Sequence, residues 1–281
     1  MKLLFPALLL CFMMACDDPE PQPAFIVVEG VENTSTGENA DDLSITEVWL
    51  FTNGDFLGAY AIPARIPVLL TGTTAVEIRL GVRQDGRSIV PEIYPFYRTF
   101  NRTVDLQPGV ETNLGTIPVS YTTETNFALS EDFEPGRPRV FTEVITGETG
   151  AVASSETVYQ GTASGKITLT DDVRTVEIAT AESFSDLTSF SVGNVWVEVN
   201  YLSDVPVIWG IVGIAPGAGF TRIYDPGFNP SSEWNKIYFN LTGVVGNSML
   251  DSYNFALTAF MNDPEQTMGT VFLDNIKVLY L

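Results

Sequence analysis

Carboxylates, aromatic rings and one retained thiol are the reactive and adhesive groups this chain has to offer. There are 35 acidic residues, 14 basic ones and no histidine. Without histidine there is no Ser-His-Asp or Cys-His catalysis, no imidazole zinc site and no switch titrating near neutrality. Carboxylate chemistry survives, as in glycosidases, which set two acids across a cleft. With so many acids a pair somewhere is certain, so their number alone points to no enzyme. Exposed aromatic faces could stack on sugar rings. Trp209, Tyr224, Phe228 and Tyr253 lie in or beside expected loops, notably "GAGFTRIYDPGFNPSSEW", Gly217 to Trp234. Against that stands their ordinary use, closing the ends of a β-sandwich. Trp196 and Trp234 alternate with Val and Ile as core residues do.

The two cysteines are Cys11 and Cys16. The apolar run before Cys16, Leu3 to Ala15, is shorter than the roughly 20 residues a spanning helix needs, and Pro6 interrupts it. A single Lys2, a short apolar stretch and a small residue before a cut site describe a secretory leader. "MMAC", Met13 to Cys16, resembles the lipobox of bacterial lipoproteins. That resemblance implies cleavage before Cys16 and acylation of its thiol, leaving a mature chain without an internal disulfide. Two or three acyl chains would anchor it stably. Residues 17–23 are acidic and proline-rich and read as an extended tether. The expected location is the outer membrane of a Gram-negative cell, lipid-anchored and facing outward. Retention in the inner membrane is the alternative that an Asp after the cysteine leaves open.

Past the leader about 266 residues remain, 45% of the precursor is apolar, and the net charge is −21. Such an acidic body repels nucleic acid. Strand signals dominate throughout. Asn53-Gly54 between apolar runs marks a type I′ hairpin. Val76, Ile78, Leu80 and Val82 alternate as one face of a strand, and turns recur every 8–12 residues, as in an antiparallel sandwich. The expected fold is all-β: two tandem antiparallel β-sandwiches, at 24–122 and 130–281, after a 1–15 leader and a 16–23 tether. The break falls near 123–129, with a polar joint and independently folding halves.

Two resemblances refine this. Gly54, Leu57-Gly58, Pro63 and Gly72 are spaced as in the PEGA-type and transthyretin-like modules of cell envelopes, which implies a spacer or docking module. "EDFEPG" (Glu131 to Gly136), "VYQGTASGKITL" (Val158 to Leu169) and "VFLDNIKVLYL" (Val271 to Leu281) resemble, in order and spacing, the jelly rolls of carbohydrate-binding and galactose-binding-like modules. In those the first and last strands lie side by side and hold a structural Ca²⁺. The resemblance therefore implies Asp132, Glu134 and Asp274 as calcium ligands. Solvated acids and a turn cap are the alternative. The function expected first is a non-catalytic surface lipoprotein serving as a binding or scaffold subunit of an outer-membrane assembly. The alternative is a glycan-binding accessory protein, and the remote one a glycosidase. Two coplanar, exposed rings on one face of the C-terminal sandwich favour sugar; a broad apolar patch of several hundred Å² without such rings favours a protein partner.

Overall fold

The computed structural model describes residues 21–35, 43–87, 91–187, 194–217 and 219–281. Cys16 and most of the tether lie outside them. Among the described residues nineteen strands and one five-residue helix, α1 (Thr242–Gly246), make an all-β protein of two packed pairs of sheets. Among the described residues no helix is long and apolar enough to cross a membrane.

The first pair comprises β1 (Ala24–Asn33), β2 (Ile45–Thr52), β3 (Asp55–Ala61), β4 (Ala64–Val68), β5 (Gly72–Arg83), β6 (Pro91–Ile93), β7 (Phe100–Leu106) and β8 (Glu111–Val119). Strand β5 runs between β2 on one edge and β6 and β7 on the other, with β3 beyond β2. Its Val76, Ile78, Leu80 and Val82 point inward, as their alternation requires. Asn53 and Gly54 both take positive φ and close the β2–β3 hairpin. The facing sheet has the order β4-β1-β8, and here the all-antiparallel expectation fails: β1 and β8 are parallel. The Pro108-Gly109 turn carries the chain from one sheet to the other, so β8 arrives beside β1 in the same direction.

The second pair comprises β9 (Asn126–Glu131), β10 (Glu143–Thr146), β11 (Val152–Ser154), β12 (Ser164–Thr170), β13 (Thr175–Ala179), β14 (Val195–Ser203), β15 (Val207–Ala215), β16 (Gly219–Phe228), β17 (Ser231–Asn240), β18 (Tyr253–Phe260) and β19 (Met268–Tyr280). One sheet runs β10-β13-β18-β15-β16, the other β11-β12-β19-β14-β17. Between them lies a core that includes Ile167, Val197, Trp209, Phe239, Phe255 and Leu273. Strands β12 and β9 share one edge of β19 end to end. The break between them falls at Asp274 and Asn275, where Asn275 takes a positive φ.

The joint between the sandwiches is not the polar surface expected from sequence. Trp196, Tyr238 and Leu279, on the outer face of the six-stranded sheet, complete the core of the N-terminal sandwich. The Tyr94 ring meets Trp196 at 5.3 Å and Tyr238 at 4.9 Å, both edge-on. Beneath them Glu198 is fully buried. It accepts hydrogen bonds from Tyr94 (2.6 Å) and Tyr121 (3.0 Å) and pairs with Lys236 at 2.8 Å. The burying aromatics satisfy the charge they cover, as a buried ion pair requires.

Candidate functional site

Three of the four rings expected to stack on sugar are core residues. Trp209, Phe228 and Tyr253 occupy inward positions of β15, β16 and β18 and are buried. The stretch read as a loop is strand β16 and the start of β17, so alternation decides which rings face out. Phe228 stacks on Tyr201 at 3.8 Å inside the sandwich. Trp234 is half-exposed and touches Tyr159, at 5.3 Å.

Tyr224 is the ring of the four that faces away from the core. It belongs to a row along β16, Phe220, Arg222 and Tyr224, two residues apart and so on one face. Phe220 is 50% exposed, and the Arg222 guanidinium lies 4.8 Å from its ring centroid. Arg222 and Tyr224 reach across the sheet to Glu177 on β13. Their path crosses Gly210 and Ala256, small residues that keep this outer face low. Arg222 Nε donates to both Glu177 oxygens, at 2.7 and 3.1 Å. Tyr224 adds a bond at 2.8 Å and Thr146 of β10 one at 3.0 Å. Burial works to raise the Glu177 carboxyl, but these hydrogen bonds outweigh it and hold it below the ordinary glutamate range. Burial, opposed by a Thr258 bond and reinforced by Glu177, pushes the Tyr224 hydroxyl well up. The outcome is a fixed polar ladder across an outward sheet face, with an exposed ring at its edge.

A second assembly forms where the first and last strands of the sandwich meet. Asp132, Glu134 and Asp274 do come together, around a cleft of about 390 Å³ also lined by Arg137, Gln160 and Asn275. Every carboxylate oxygen, however, faces a protein donor. Asp132 accepts from the Glu134 N–H and from Arg137 at 2.5 Å. Glu134 accepts from the Thr162 N–H (2.6 Å), the Thr162 hydroxyl (2.6 Å) and the Ala163 N–H. Asp274 accepts from Ser164 (2.7 Å), Gln160 N–H (3.2 Å) and Asn275 N–H (2.8 Å). Among the described residues no group of three or more acids converges on one point. As arranged, these acids form a hydrogen-bonded clasp and do not fit the six-to-eight-oxygen shell that calcium wants. Burial, which the three donors oppose, pushes Asp274 up to about 6, with Asp132 adding to it.

The clasp also explains the glycines of "QGTASGK". A Cβ on Gly161 would stand 2.2 Å from the Glu134 carboxylate, and one on Gly165 2.3 Å from the Phe133 ring. The acid that sequence reading passed over in this stretch is Glu131. It is buried and takes bonds from the Phe133 and Val140 N–H groups and from Arg139. Glu177, Arg222 and Phe220 were passed over as well. The i, i+2 spacing of Phe220, Arg222 and Tyr224 was the available signal, hidden because Pro226 argues against a strand.

No protein-family model and no curated protein matches the chain. Solved structures with a similar outline are carbohydrate-binding modules. One, from work on the promiscuous specificity of β-sandwich carbohydrate-binding modules, is 16% identical over 92% of this chain and 99% of its own, with a TM-score of 0.39. The C-terminal family 22 module of Clostridium thermocellum Xyn10B is 14% identical over 54% and 92%, with a TM-score of 0.37. The family 30 module of the Clostridium thermocellum cellulase Cel9D-Cel44B is 12% identical over 53% and 96%, with a TM-score of 0.40.

Proposed function

We propose that this protein binds carbohydrate, without catalysis, on the outer face of the five-stranded sheet of its C-terminal sandwich. The observation that carries this reading is the ladder of Arg222, Glu177 and Tyr224 beside the exposed Phe220. Sugars offer hydroxyls that want directional polar partners and C–H faces that want an aromatic ring. Here the polar partners are already fixed to one another, so ordering them on binding costs little. Glu177, held ionised, is unsuited to act as a general acid. The reading moves glycan binding ahead of the scaffold role expected first.

The anchor belongs to the same proposal: acylation at Cys16 would tether the body to the outer membrane, where captured polysaccharide is held at the cell surface. Cys16→Ser is expected to move the protein from the membrane fraction to the soluble one; full retention in the membrane overturns the anchor. Binding is tested by affinity electrophoresis in soluble polysaccharides. Phe220→Ala, at an exposed position, is expected to weaken binding about tenfold or more with little change in melting temperature. Undiminished binding by that variant places the site elsewhere.

One observation favours a scaffold role for the other half. Phe56, Leu57, Leu69 and Leu70 are exposed together around a cleft of about 290 Å³ at the tip of the N-terminal sandwich. An apolar tip of this kind suits a protein partner.

A further inference from the structure

Leu69 and Leu70 lie in the turn that joins β4 to β5, and both are exposed, Leu69 at 68%. Two further turns bring apolar side chains to the same end of the N-terminal sandwich. The Asn53-Gly54 hairpin leads into Phe56 and Leu57, and the turn between β7 and β8 ends in Val110. Strand register sets the three turns together: Gly72 lies opposite Leu106, and Thr52 opposite Val76. Phe56, Leu57, Leu69 and Leu70 line one cleft of about 290 Å³. Five of the twelve large apolar side chains exposed among the described residues are thus gathered at one end of one sandwich. Exposed apolar groups clustered in this way mark a contact surface.

The chain enters the fold at this same end. Ala24, the first residue of β1, pairs with Val68, the residue before Leu69. The Gly109 N–H donates to the Pro23 carbonyl at 2.9 Å, and the Phe25 N–H to the Val110 carbonyl at 2.9 Å. Cys16 stands seven residues before Pro23. At no more than about 3.6 Å per residue, it lies within about 25 Å of Pro23 by any path. The opposite end of the sandwich is already occupied. There the Tyr94 N–H donates to the Leu80 carbonyl, and the Tyr94 ring packs on Trp196 and Tyr238 of the C-terminal sandwich. From Gly72 to Val82, β5 spans about 33 Å between the two ends.

We propose that this tip rests in the lipid surface that holds the anchor, with Leu69 and Phe56 as its most exposed contacts. The choice of occupant rests on the acylation of Cys16 proposed above. An apolar tip suits lipid or protein alike, and the point of chain entry decides between them: the acyl chains would bring a bilayer to within one tether length. Turn leucines and a phenylalanine gain by leaving water for the acyl boundary, as the apolar face of an interfacial helix does. The insertion is shallow, because Asp55 lines the same cleft and the exposed Asp105 lies opposite Thr73. These carboxylates stay among the headgroups while the apolar side chains enter. With −21 on the chain, zwitterionic headgroups are favoured over anionic ones. A lipidated cysteine alone leaves the body free to swing. A second contact at the tip would fix its tilt and hold the C-terminal sandwich, with its Arg222–Glu177–Tyr224 face, off the membrane by the length of β5.

A single thiol tests this. With the leader removed and Cys16 acylated, Leu69→Cys supplies the one free thiol of the chain for an environment-sensitive fluorophore. Met249→Cys, at an 87% exposed position of the C-terminal sandwich, supplies the control. The full chain, purified from membranes of a Gram-negative host, is reconstituted into phosphatidylcholine vesicles with and without brominated acyl chains. The label at Leu69 is expected to shift to the blue and to be quenched by the brominated lipid, while the label at Met249 stays in water. Adding Phe56→Ser and Leu70→Ser, both at exposed positions, is expected to remove most of that quenching with the melting temperature unchanged. A Leu69 label that stays in water on vesicle-bound protein overturns the lipid contact and leaves the anchor standing. A label that shifts in native membrane fragments but is not quenched on vesicles assigns the tip to a protein partner and likewise overturns the lipid contact. Retention of Cys16→Ser in the membrane fraction overturns the anchor; in that variant a quenched Leu69 label still supports the tip as a lipid contact, and an unquenched one overturns both.

Discussion

Asp274 carries a burial penalty that pH can relieve. Its folded-state value of about 6 lies above the ~3.9 of an unfolded aspartate, so the ionised form is the disfavoured one in the fold. The penalty is present in full above pH 6 and is gone below the unfolded value, at a scale of about 2–3 kcal/mol. Lowering the pH from 7.5 to 5 is therefore expected to raise the melting temperature, and Asp274→Asn to flatten that rise. Calorimetric melts across this range check it; a melting temperature that falls monotonically in the same window contradicts it. Glu177 works in the opposite sense and in a lower window. Its folded value is depressed, so what it contributes is present above the ordinary glutamate range and is lost as pH drops through the folded value. The two carboxylates differ because Asp274 has neutral donors and an acid for a neighbour, whereas Glu177 has a guanidinium.

At the scale of elements, the contact between the 131–136 segment and β12 decides how the C-terminal sandwich closes. Phe133 takes a positive φ and lays its ring on the bare Cα of Gly165, while Glu134 caps the turn at 161–163. Gly165→Ala would press a methyl group into that ring, and an overpacked core of this kind typically loses about 1–3 kcal/mol. A lowered denaturation midpoint with an unchanged slope is the expected outcome, measured by urea titration. Strand β9 matters in the same way. It lies antiparallel to the end of β19, with Leu129 opposite Val278 and Asn126 opposite Tyr280. A chain begun at residue 130 would lack most of that strand and leave the β19 edge open, with a row of unpaired backbone groups.

At the scale of the molecule, the joint ties the two sandwiches together. Trp196, Tyr238 and Leu279 belong to one by chain and to the other's core by contact. Burial, with the nearby Glu198 charge, pushes the Tyr94 and Tyr97 hydroxyls well up, so both remain neutral, Tyr94 donating to the carboxylate and Tyr97 sharing a hydrogen bond with the Tyr238 hydroxyl. The full chain is expected to melt in one cooperative transition. Glu198→Ala would strand Lys236, Tyr94 and Tyr121 without their common acceptor, at a cost of about 3–5 kcal/mol. Differential scanning calorimetry makes the test: two resolved transitions in the unaltered protein would show that the halves unfold separately despite the shared aromatics.

Local chemistry in the chain was enough to specify the β class, the Asn53-Gly54 hairpin and the inward row of β5. Each depends on neighbours in sequence: positive-φ tolerance at a turn, a period of two. Which rings face solvent was decided by tertiary structure. Residues 217–234 look like a loop because Pro226 cannot donate to a ladder, yet β16 is an edge strand, where proline is tolerated. Once it is a strand, a shift of one residue exchanges the two faces, and Phe228 goes in while Phe220 stays out. Nor could the chain announce the partners of Glu198 and Glu177. Tyr94 lies 104 residues from Glu198 and Arg222 lies 45 from Glu177. Only the tertiary fold brings such groups within hydrogen-bond distance.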